Sequence, residues 1–431
     1  MKRLVWGNLS AAGRRAALSR PRQRTGAHLQ AEVKSIVDEV RRRGWRGLRE
    51  IAGRIDGEDP FEVDVGPLAS KARLDLPVEQ VAALELAADR IRAFHEASCP
   101  CDFSMETMPG LRVTKTWRAI DRVGLYVPGG KTPLFSSLMM LAIPARAAGV
   151  REIVTVTPPR PSGGLDRLIA LAADLSGIER IWTVGGAQAI AALAFGAGAL
   201  PRVDKICGPG NAWVAEAKRQ VSGLPGGPAI DMPAGPSELM IIADEGSNDA
   251  LVAADLLSQA EHDPAAQVLL VSSSLEFAGA VERKVDALAS RLPRGKIARA
   301  SLKQARTIIV ADMNEAVEVA NLYAPEHLSL AVEQPEMLIG EVRNAGAVFA
   351  GSSAAETFGD YLAGSSHVLP TDGAARAWSG VSVYTFLKAM SVQTVTAEAA
   401  QRLARPAAIL ARMEMLEAHA RAADARLEVA P

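Results

Sequence analysis

Short apolar strands alternate with helical segments from Val123 onward, and this alternation limits the fold more than any other feature of the chain. Runs rich in β-branched residues, which are typical of buried strands, lie at residues 123–127, 152–157, 180–186 and 203–207. Segments with apolar residues at helical spacing fall between them, at residues 133–148, 165–175 and 187–194. This strand–helix order predicts a parallel sheet with helices on both faces.

The same order returns in the second half of the chain. Helical segments again separate strand-like runs, at residues 238–244, 267–273, 305–312, 328–332 and 346–351. We therefore expect two α/β units that meet near the Gly- and Pro-rich stretch DMPAGPSE, residues 231–238.

The two ends of the chain lack this alternation of strands and helices. The region up to about Ala119 is predicted to be mainly helical, with helices at residues 29–43, 45–55 and 77–96. After about Gly380 the alternation ends. Two predicted tail helices, residues 397–403 and 406–427, are too small to fold alone, so they are expected to pack on another domain or subunit.

Composition excludes several classes of protein. A chain of 431 residues is too long for one hydrophobic core. Its 48 Lys and Arg residues nearly balance 49 Asp and Glu residues, which argues against a general nucleic-acid or acidic-membrane binder. No apolar run reaches the roughly 18 residues of a membrane span. The Arg-rich beginning is poor in Ser and is interpreted as folded structure rather than a transit peptide. Three cysteines, an odd number without a secretory leader pattern, favour a reducing cytoplasm.

Gln259 and His262 lie three residues apart in the stretch DLLSQAEHD, which is predicted to end a helix before Pro264. That spacing places the amide and the imidazole on one face of the helix. The pair fits a metal site, in which Gln is an unusual ligand, and it also fits an ordinary surface turn. Asp360, in the motif ETFGDY, either completes such a site or is a helix cap or a surface carboxylate.

Two further histidines have less informative surroundings. His419 lies on the predicted terminal helix, five residues after Glu414. Five residues are about 140° apart on an ideal helix, so the two side chains do not share one stripe, and His419 alone is expected to be solvated. His367, in SSHVLPT, is separated from Asp360 by Gly364, which argues against one continuous helix through both.

Three glycine-rich loops each follow a predicted strand and precede a predicted helix: VPGG, VGGAQ and CGPGN, at residues 127–130, 184–188 and 207–211. Glycine at the carboxyl end of a parallel strand lets backbone N–H groups approach a phosphate. The full dinucleotide fingerprint is missing, because Trp213 occupies the third glycine position. The loops therefore fit either nucleotide binding or tight turns. Cys207 fits a thiolate nucleophile or, more simply, a small buried side chain.

Glu326 and His327 are neighbours in the motif APEHL. Neighbouring side chains point apart on a helix or strand, so only a turn directs both into one cavity. A carboxylate and an imidazole placed together can serve two separate proton transfers. The alternative is the beginning of a helix, where Glu interacts favourably with the helix dipole.

Long motifs follow one another between Val123 and Met390: GLYVPGGKTPLFSSLMMLAIPARAAGV, VGGAQAIAALAFGAG, VDKICGPGNAWVAEAKRQV, IDMPAGPSE, LLSQAEHD, APEHL and GDYLAGSSHVLPT. Through these motifs the chain closely resembles the histidinol dehydrogenase family. The resemblance continues more loosely into both ends and includes Glu414 and His419 with four residues between them.

The resemblance implies a zinc-dependent homodimer with exchanged tails. Such an enzyme oxidises L-histidinol through the aldehyde to L-histidine and reduces two NAD⁺. By the resemblance, one zinc ion per subunit has four ligands, the last from the partner subunit: Gln259, His262, Asp360 and His419. Glu326 and His327 correspond to the family's acid–base pair. The implied substrate positions are Ser237, Gln259, His262, His327, Asp360, His367, Glu414 and His419. The implied NAD contacts are Tyr126, Gln188 and Asn211.

The expected fold is therefore α/β, with two Rossmann-like parallel-sheet domains, a helical N-terminal arm and a small helical C-terminal tail domain. Residues 1–24 are assigned to the arm and residues 25–125 to the first part of domain 1. Domain 2, which binds NAD, comprises residues 126–237. The second part of domain 1, with the zinc and catalytic residues, comprises residues 238–380. Residues 381–431 form the tail that contributes to the partner's site. No nucleic-acid or membrane partner is expected.

Three other functions are compatible with parts of the same pattern. An enzyme of the same fold for another small alcohol, such as a sulfonated diol, is disfavoured by Glu414 and His419, because a carboxylate and a zinc ion suit a cationic amine and an imidazole better. A zinc hydrolase leaves the glycine-rich loops unexplained. A catalytically silent NAD-binding protein has no need of Glu326 and His327.

Overall fold

The computed structural model of the chain describes residues 1–20, 26–129, 133–233 and 235–428. The described strands are β1 (Lys2–Val5), β2 (Glu62–Asp64), β3 (Phe103–Met108), β4 (Leu111–Ala119), β5 (Arg122–Tyr126), β6 (Glu152–Thr157), β7 (Arg180–Thr183), β8 (Lys205–Cys207), β9 (Ala229–Ile230), β10 (Glu238–Ala243), β11 (Gln267–Ser272), β12 (Arg306–Ile309), β13 (His327–Ala331), β14 (Ala347–Ala350) and β15 (Leu387–Val395).

The described α-helices connect and cover these strands. They are α1 (Ala11–Ala17), α2 (Ala27–Ile55), α3 (Val65–Asp75), α4 (Val78–Ala97), α5 (Phe135–Ala147), α6 (Arg167–Leu175), α7 (Gly186–Phe195), α8 (Ala212–Ser222), α9 (Asp249–Ala260), α10 (Leu275–Ala289), α11 (Gly295–Leu302), α12 (Met313–Tyr323), α13 (Glu336–Ile339), α14 (Glu356–Tyr361), α15 (Ala397–Met413) and α16 (Glu417–Asp424). None of these helices combines the length and apolar character needed to cross a membrane.

Two six-stranded sheets form the framework. The first has the order β2-β7-β6-β5-β8-β9 and is parallel except for the edge strand β2. The second has the order β1-β12-β11-β10-β13-β14 and is parallel throughout. Both are covered by helices on both faces, which explains why strands such as ELMIIA in β10 are apolar on both sides. The prediction of two α/β domains with parallel sheets is confirmed.

The N-terminal helices lie on the first sheet. Gly44, at φ +54°, interrupts α2, so the two helices predicted on either side of it are confirmed. Val33, Val37 and Leu48 of α2 share a core with Trp182 of β7. Helices α3 and α4 share the core on the opposite face of the same sheet. The prediction that joined residues 25–125 to residues 238–380 is therefore wrong for these helices. An amphipathic pattern shows which face is buried, but not which sheet covers it.

The arm and the tail are less purely helical than predicted. Strand β1 adds to β12 as the parallel edge of the second sheet, so the arm contains a strand as well as α1. Strands β3 and β4 form a hairpin in the region predicted to be mainly helical, and β15 of the tail pairs antiparallel with β4. The turn of this hairpin contains Gly110 at φ +85°, a conformation that glycine accepts without steric cost.

The tail helices also have different boundaries. Helix α15 continues through Pro406, and the break falls at Met415, whose φ of +60° cannot belong to an α-helix. The predicted single helix over residues 406–427 is therefore wrong. Glu414 and His419 lie on opposite sides of the break, so their angular separation on an ideal helix does not apply.

Candidate active site

A cavity of about 180 Å³ is lined by residues from both α/β units. The first unit contributes the beginning of α5 and the loop after β8, and the second contributes the ends of α9 and α14 and the beginning of β13. The cavity brings together seven residues singled out in the sequence: Ser237, Gln259, His262, Glu326, His327, Asp360 and His367.

Glu326 and His327 are both held by the backbone of Glu238. His327 begins β13, in register with Leu239 of β10, so the two strands place the pair beside the first residue of β10. The N–H of Glu238 donates to Oε2 of Glu326 over 2.8 Å. The Nδ1 atom of His327 lies 3.1 Å from the carbonyl oxygen of Glu238. The pair thus stands where a loop enters a strand, and the alternative of a helix beginning is wrong.

The same contact fixes the tautomer of His327. A carbonyl oxygen only accepts hydrogen bonds, so Nδ1 must carry the hydrogen and Nε2 must carry the lone pair. Nε2 is buried and has no hydrogen-bond partner among the described residues. His327 therefore presents an unprotonated nitrogen at the cavity.

Burial controls the protonation of this group of side chains. It lowers the pKa of His327 to about 3, because a buried imidazolium loses its hydration. Burial raises the pKa of Glu326 well above its usual range. It does the same for Glu356, whose Oε1 atom lies 3.3 Å from Nδ1 of His327. At neutral pH His327 is therefore neutral, and its short distances to these carboxyl groups are not ion pairs.

The three predicted metal ligands of this chain lie around the same cavity. Gln259 is in the last turn of α9, and both atoms of its amide are buried without a partner among the described residues. His262 follows just beyond the helix and is exposed. Asp360 lies within α14, so it is not a helix cap, and burial raises its pKa to about 6 while His262 opposes the rise. Within the described ranges, no cluster of three or more His, Cys, Asp or Glu residues suits a metal ion. This set instead combines an amide with one His and one Asp.

His367 lines the cavity and connects the two units. Its Nδ1 atom lies 3.0 Å from the carbonyl oxygen of Asp360, so Nδ1 carries the hydrogen. Its Nε2 atom lies 3.0 Å from the hydroxyl of Ser137 on α5 and therefore accepts from it. Both ring nitrogens are thus used within the protein. His367 lines the cavity, but its ring has no free nitrogen to offer a ligand, and its predicted contact with substrate stays a prediction.

Comparisons with known proteins show which family the chain resembles over its length. The histidinol dehydrogenase family profile matches residues 18–427. A histidinol dehydrogenase of Xanthomonas campestris pv. campestris (strain 8004) is 47% identical over 432 residues, which is 100% of both chains. One of Colwellia psychrerythraea is 42% identical over 424 residues, which is 98% of both chains. The solved histidinol dehydrogenase of Elizabethkingia anophelis superimposes with a TM-score of 0.95 at 36% identity, over 99% of this chain and 98% of that one.

The chain belongs to the histidinol dehydrogenase family. It is accordingly an oxidoreductase. The resemblance found in the motifs of the sequence is thereby confirmed over nearly the whole chain.

The three residues predicted from the resemblance to contact NAD lie at the strand ends of the first sheet. The hydroxyl of Tyr126 accepts from the N–H of Gly186 over 3.2 Å, and Gln188 lies in the first turn of α7 with a buried, unpartnered Oε1. Asn211 caps α8 by accepting from two backbone N–H groups. Gly130, the last residue of the VPGG motif, lies outside the described residues.

Glu414 and His419 are not brought to this cavity within one chain. Neither is among the described residues that line it, and both are exposed on the tail. The tail packs on the β3–β4 hairpin, where Arg402 donates to the carbonyl of Pro109 over 2.5 Å. Their contribution to a partner's site stays a prediction.

Two acidic residues that contact predicted site residues were not among the predicted ones: Glu356, beside His327, and Asp56, beside Gln188. Glu356 lies one helical turn before Asp360, and this i, i+4 spacing of two acids beside a predicted ligand was a usable signal. Asp56, at the end of α2, accepts from the N–H of Gly185 over 3.2 Å and from Nε2 of Gln188 over 3.0 Å. No motif around Asp56 indicates this contact.

Cys207 is fully buried, which raises the pKa of its thiol and excludes a reactive thiolate.

The buried ion pair of Lys218 and Asp231 holds the loop after β8 in place beside the cavity. Asp231 accepts from the N–H of Gly208 over 2.6 Å, and Lys218 donates to the carbonyl of Gly208 over 3.0 Å. Lys218 and Asp231 also pair directly, with side chains 4% and 1% exposed. Gly208 has a φ of +125°, and a Cβ there would lie 2.0 Å from the carbonyl oxygen of Tyr126.

We expect Lys218→Met to lower the free energy of unfolding by about 3–5 kcal/mol, because it leaves the negative charge of Asp231 buried without its positive partner. Urea unfolding followed by circular dichroism measures the loss. Lys34→Met is the matched control, since Lys34 pairs with Asp38 at an exposed site and should contribute less than about 1 kcal/mol. Adding Asp231→Asn to Lys218→Met should recover part of the loss. Equal losses of stability in Lys218→Met and Lys34→Met would contradict the proposed role of the buried pair.

Proposed function

We propose that this oxidoreductase is a zinc-dependent histidinol dehydrogenase. It would oxidise L-histidinol through L-histidinaldehyde to L-histidine with two NAD⁺, as the last steps of histidine biosynthesis. The observation that carries the proposal is the free Nε2 of a neutral His327 beside Glu326, in one cavity with Gln259, His262 and Asp360. A base, a second proton acceptor and a polar anchor are what a two-step alcohol oxidation requires.

His327 is proposed to take the proton of the substrate hydroxyl. Its Nε2 has the lone pair for this transfer, and its Nδ1–H is already directed to the carbonyl of Glu238. A buried imidazole is a weak base by itself. The carboxyl groups of Glu326 and Glu356, 3.7 Å and 3.3 Å from Nδ1, would stabilise the imidazolium once they are ionised. The base strength of His327 thus depends on these neighbours.

Glu326 is proposed to act in the second oxidation, where water must add to the aldehyde. Burial raises the pKa of this carboxyl, so once ionised it binds a proton more strongly than an exposed carboxylate does. The N–H of Glu238 directs its Oε2 atom. Glu326 would take a proton from the water, and His327 would take the proton of the hydrate.

Gln259, His262 and Asp360 are the residues of this chain that would hold zinc, with His419 of the partner as the fourth ligand. Their fit is supported by the two unpartnered atoms of the Gln259 amide, because a buried amide without hydrogen bonds is costly unless a ligand occupies it. Imidazole and carboxylate are ordinary zinc ligands. When bound, the ion would orient the amine and imidazole of the substrate and polarise its oxygen.

The nicotinamide cofactor would lie at the strand ends of the first sheet, within the proposed NAD-binding unit of residues 126–237. Tyr126, Gln188 and Asn211 would contact it, and NAD⁺ would accept the two hydrides. The unpartnered Oε1 of Gln188 supports this placement, because it is a buried acceptor with no donor in the described chain. Asp56, which accepts from Nε2 of Gln188, would hold this amide in position.

The proposed subunit arrangement is a homodimer in which each tail, residues 381–431, completes the site of the other chain. It is supported by the exposure of Glu414 and His419 and of apolar tail residues such as Leu410, Met413 and Met415. We also propose a cytoplasmic location, which the three free cysteines support.

The direct test is the yield of NADH per L-histidinol consumed by the zinc-loaded protein. We expect two NADH per substrate, loss of activity on chelation and recovery on adding zinc. Asp360→Asn should lower both zinc content and activity, because it removes a charged ligand. Asp263→Asn changes a nearby exposed carboxylate that caps the following turn, and it should leave both unchanged. Formation of one NADH per L-histidinol, with release of the aldehyde, would contradict the proposed role of Glu326. Formation of no NADH by protein that has bound zinc would contradict L-histidinol as the substrate.

Tail exchange predicts complementation between two inactive variants. In a mixed dimer of His262→Asn and His419→Asn chains, one site keeps every ligand and the other loses two. An equal mixture should therefore regain about a quarter of the wild-type rate, because half of the dimers are mixed and each has one intact site. The matched control mixes His262→Asn with Asp360→Asn chains, in which no combination restores a site. Equal rates in the two mixtures would exclude tail exchange.

A further inference from the structure

The side chain of Glu238 is fully buried and is held by an arginine from the N-terminal arm. Arg20 donates through Nε to Oε1 of Glu238 and through Nη2 to Oε2, the second bond measuring 2.7 Å. The N–H of Asp372 also donates to Oε1, over 3.1 Å. Arg20 is only 15% exposed, so this bidentate pair lies largely away from water. Such pairs fix orientation as well as charge.

Arg20 also fastens the turn that leads into the Glu326–His327 pair. Its Nη2 atom lies 3.0 Å from the carbonyl oxygen of Tyr323 and 3.3 Å from that of Ala324. Its guanidinium lies over the ring of Tyr323, 3.9 Å from the ring centroid. Ala324 has a φ of +54°, a left-handed conformation that is strained for a residue with a Cβ and persists only where the surroundings hold it.

Two sets of these contacts lead to Glu326 and His327. Through Glu238, Arg20 reaches the N–H and C=O groups that orient Glu326 and His327. Through Tyr323 and Ala324, it reaches the chain just before Glu326. We infer that Arg20 is a positioning residue that holds the Glu326–His327 pair in its working geometry. This inference rests on the proposed function for its kinetic readout.

Anchoring the arm does not depend on Arg20 alone. Arg306 of β12 donates to the carbonyl of Ala17 over 2.9 Å and to that of Ser19 over 2.6 Å, and neither of these bonds involves Glu238. Strand β1 pairs with β12, and Trp6 is buried in the core beneath the second sheet. The arm therefore has its own attachments, and the contact with Glu238 is the distinctive property of Arg20.

Steady-state kinetics of the full-length, zinc-loaded protein test the inference. A misplacement of about 1 Å at a reacting group costs up to about a hundredfold in rate, so Arg20→Ala should lower kcat for NADH formation by about ten- to a hundredfold. KM for L-histidinol and the zinc content should change by less than about twofold. Added guanidinium ion should restore part of kcat. Arg20→Lys, which is expected to fold, should retain only part of kcat because an ammonium cannot make the bidentate pair.

Arg306→Ala is the matched control, because it loosens the arm without removing the partner of Glu238. It should lose less activity than Arg20→Ala and gain nothing from guanidinium. Combining Arg20→Ala with His327→Asn should cost little beyond His327→Asn alone, because the arginine acts through that pair. Wild-type kcat in both Arg20 variants would overturn the inference. A loss of kcat in Arg306→Ala as large as that in Arg20→Ala, with no rescue of either variant by guanidinium, would also overturn it.

Hydrogen exchange separates failure of this inference from failure of the proposed function. If the wild-type protein forms no NADH from L-histidinol, the proposed function fails whatever Arg20 does. The inference is then decided by amide exchange in residues 238–241 and 324–328. Faster exchange there in Arg20→Ala than in Arg306→Ala would support positioning by Arg20, and unchanged exchange would overturn it.

Discussion

The site depends on the backbone of one residue, Glu238, at the beginning of β10. Its N–H directs Glu326 and its carbonyl directs His327, because the parallel register of β10 and β13 sets Leu239 beside His327. A shift of one residue in this register would turn the His327 side chain to the other face of the sheet. The chemistry of the cavity is thus a consequence of strand pairing at the centre of the second sheet.

Burial then gives the oriented groups their chemical character. The same exclusion of water lowers the pKa of His327 to about 3, so its ring is neutral at neutral pH, and it raises the pKa of Glu326 well above its usual range. His367 links the two α/β units by bonding the carbonyl of Asp360 and the hydroxyl of Ser137. The unpartnered atoms of Gln259 and His327 are left as the positions from which a ligand can be bound.

The sequence predicts the local parts of this arrangement well. The strand–helix alternation predicts both parallel sheets, and the motifs that contain Gln259, His262, Glu326, His327 and Asp360 meet in one cavity. Periodicity does not reveal which sheet a helix covers, so the helices before Val123 were assigned to the wrong unit. Arg20 and Glu238 are 218 residues apart, and β15 pairs with a strand far earlier in the chain. No local pattern encodes such contacts, because they arise only when distant segments pack together.

The most direct test of the central claim is the tautomer of His327 in the zinc-loaded protein at neutral pH. The chain has only six histidines, so ¹⁵N-histidine labelling with His327→Asn for assignment identifies its two ring nitrogens. The contact with the carbonyl of Glu238 predicts a hydrogen on Nδ1 and a bare Nε2. A hydrogen on Nε2, or on both nitrogens, would mean that Glu238 does not direct this ring towards the cavity as a base.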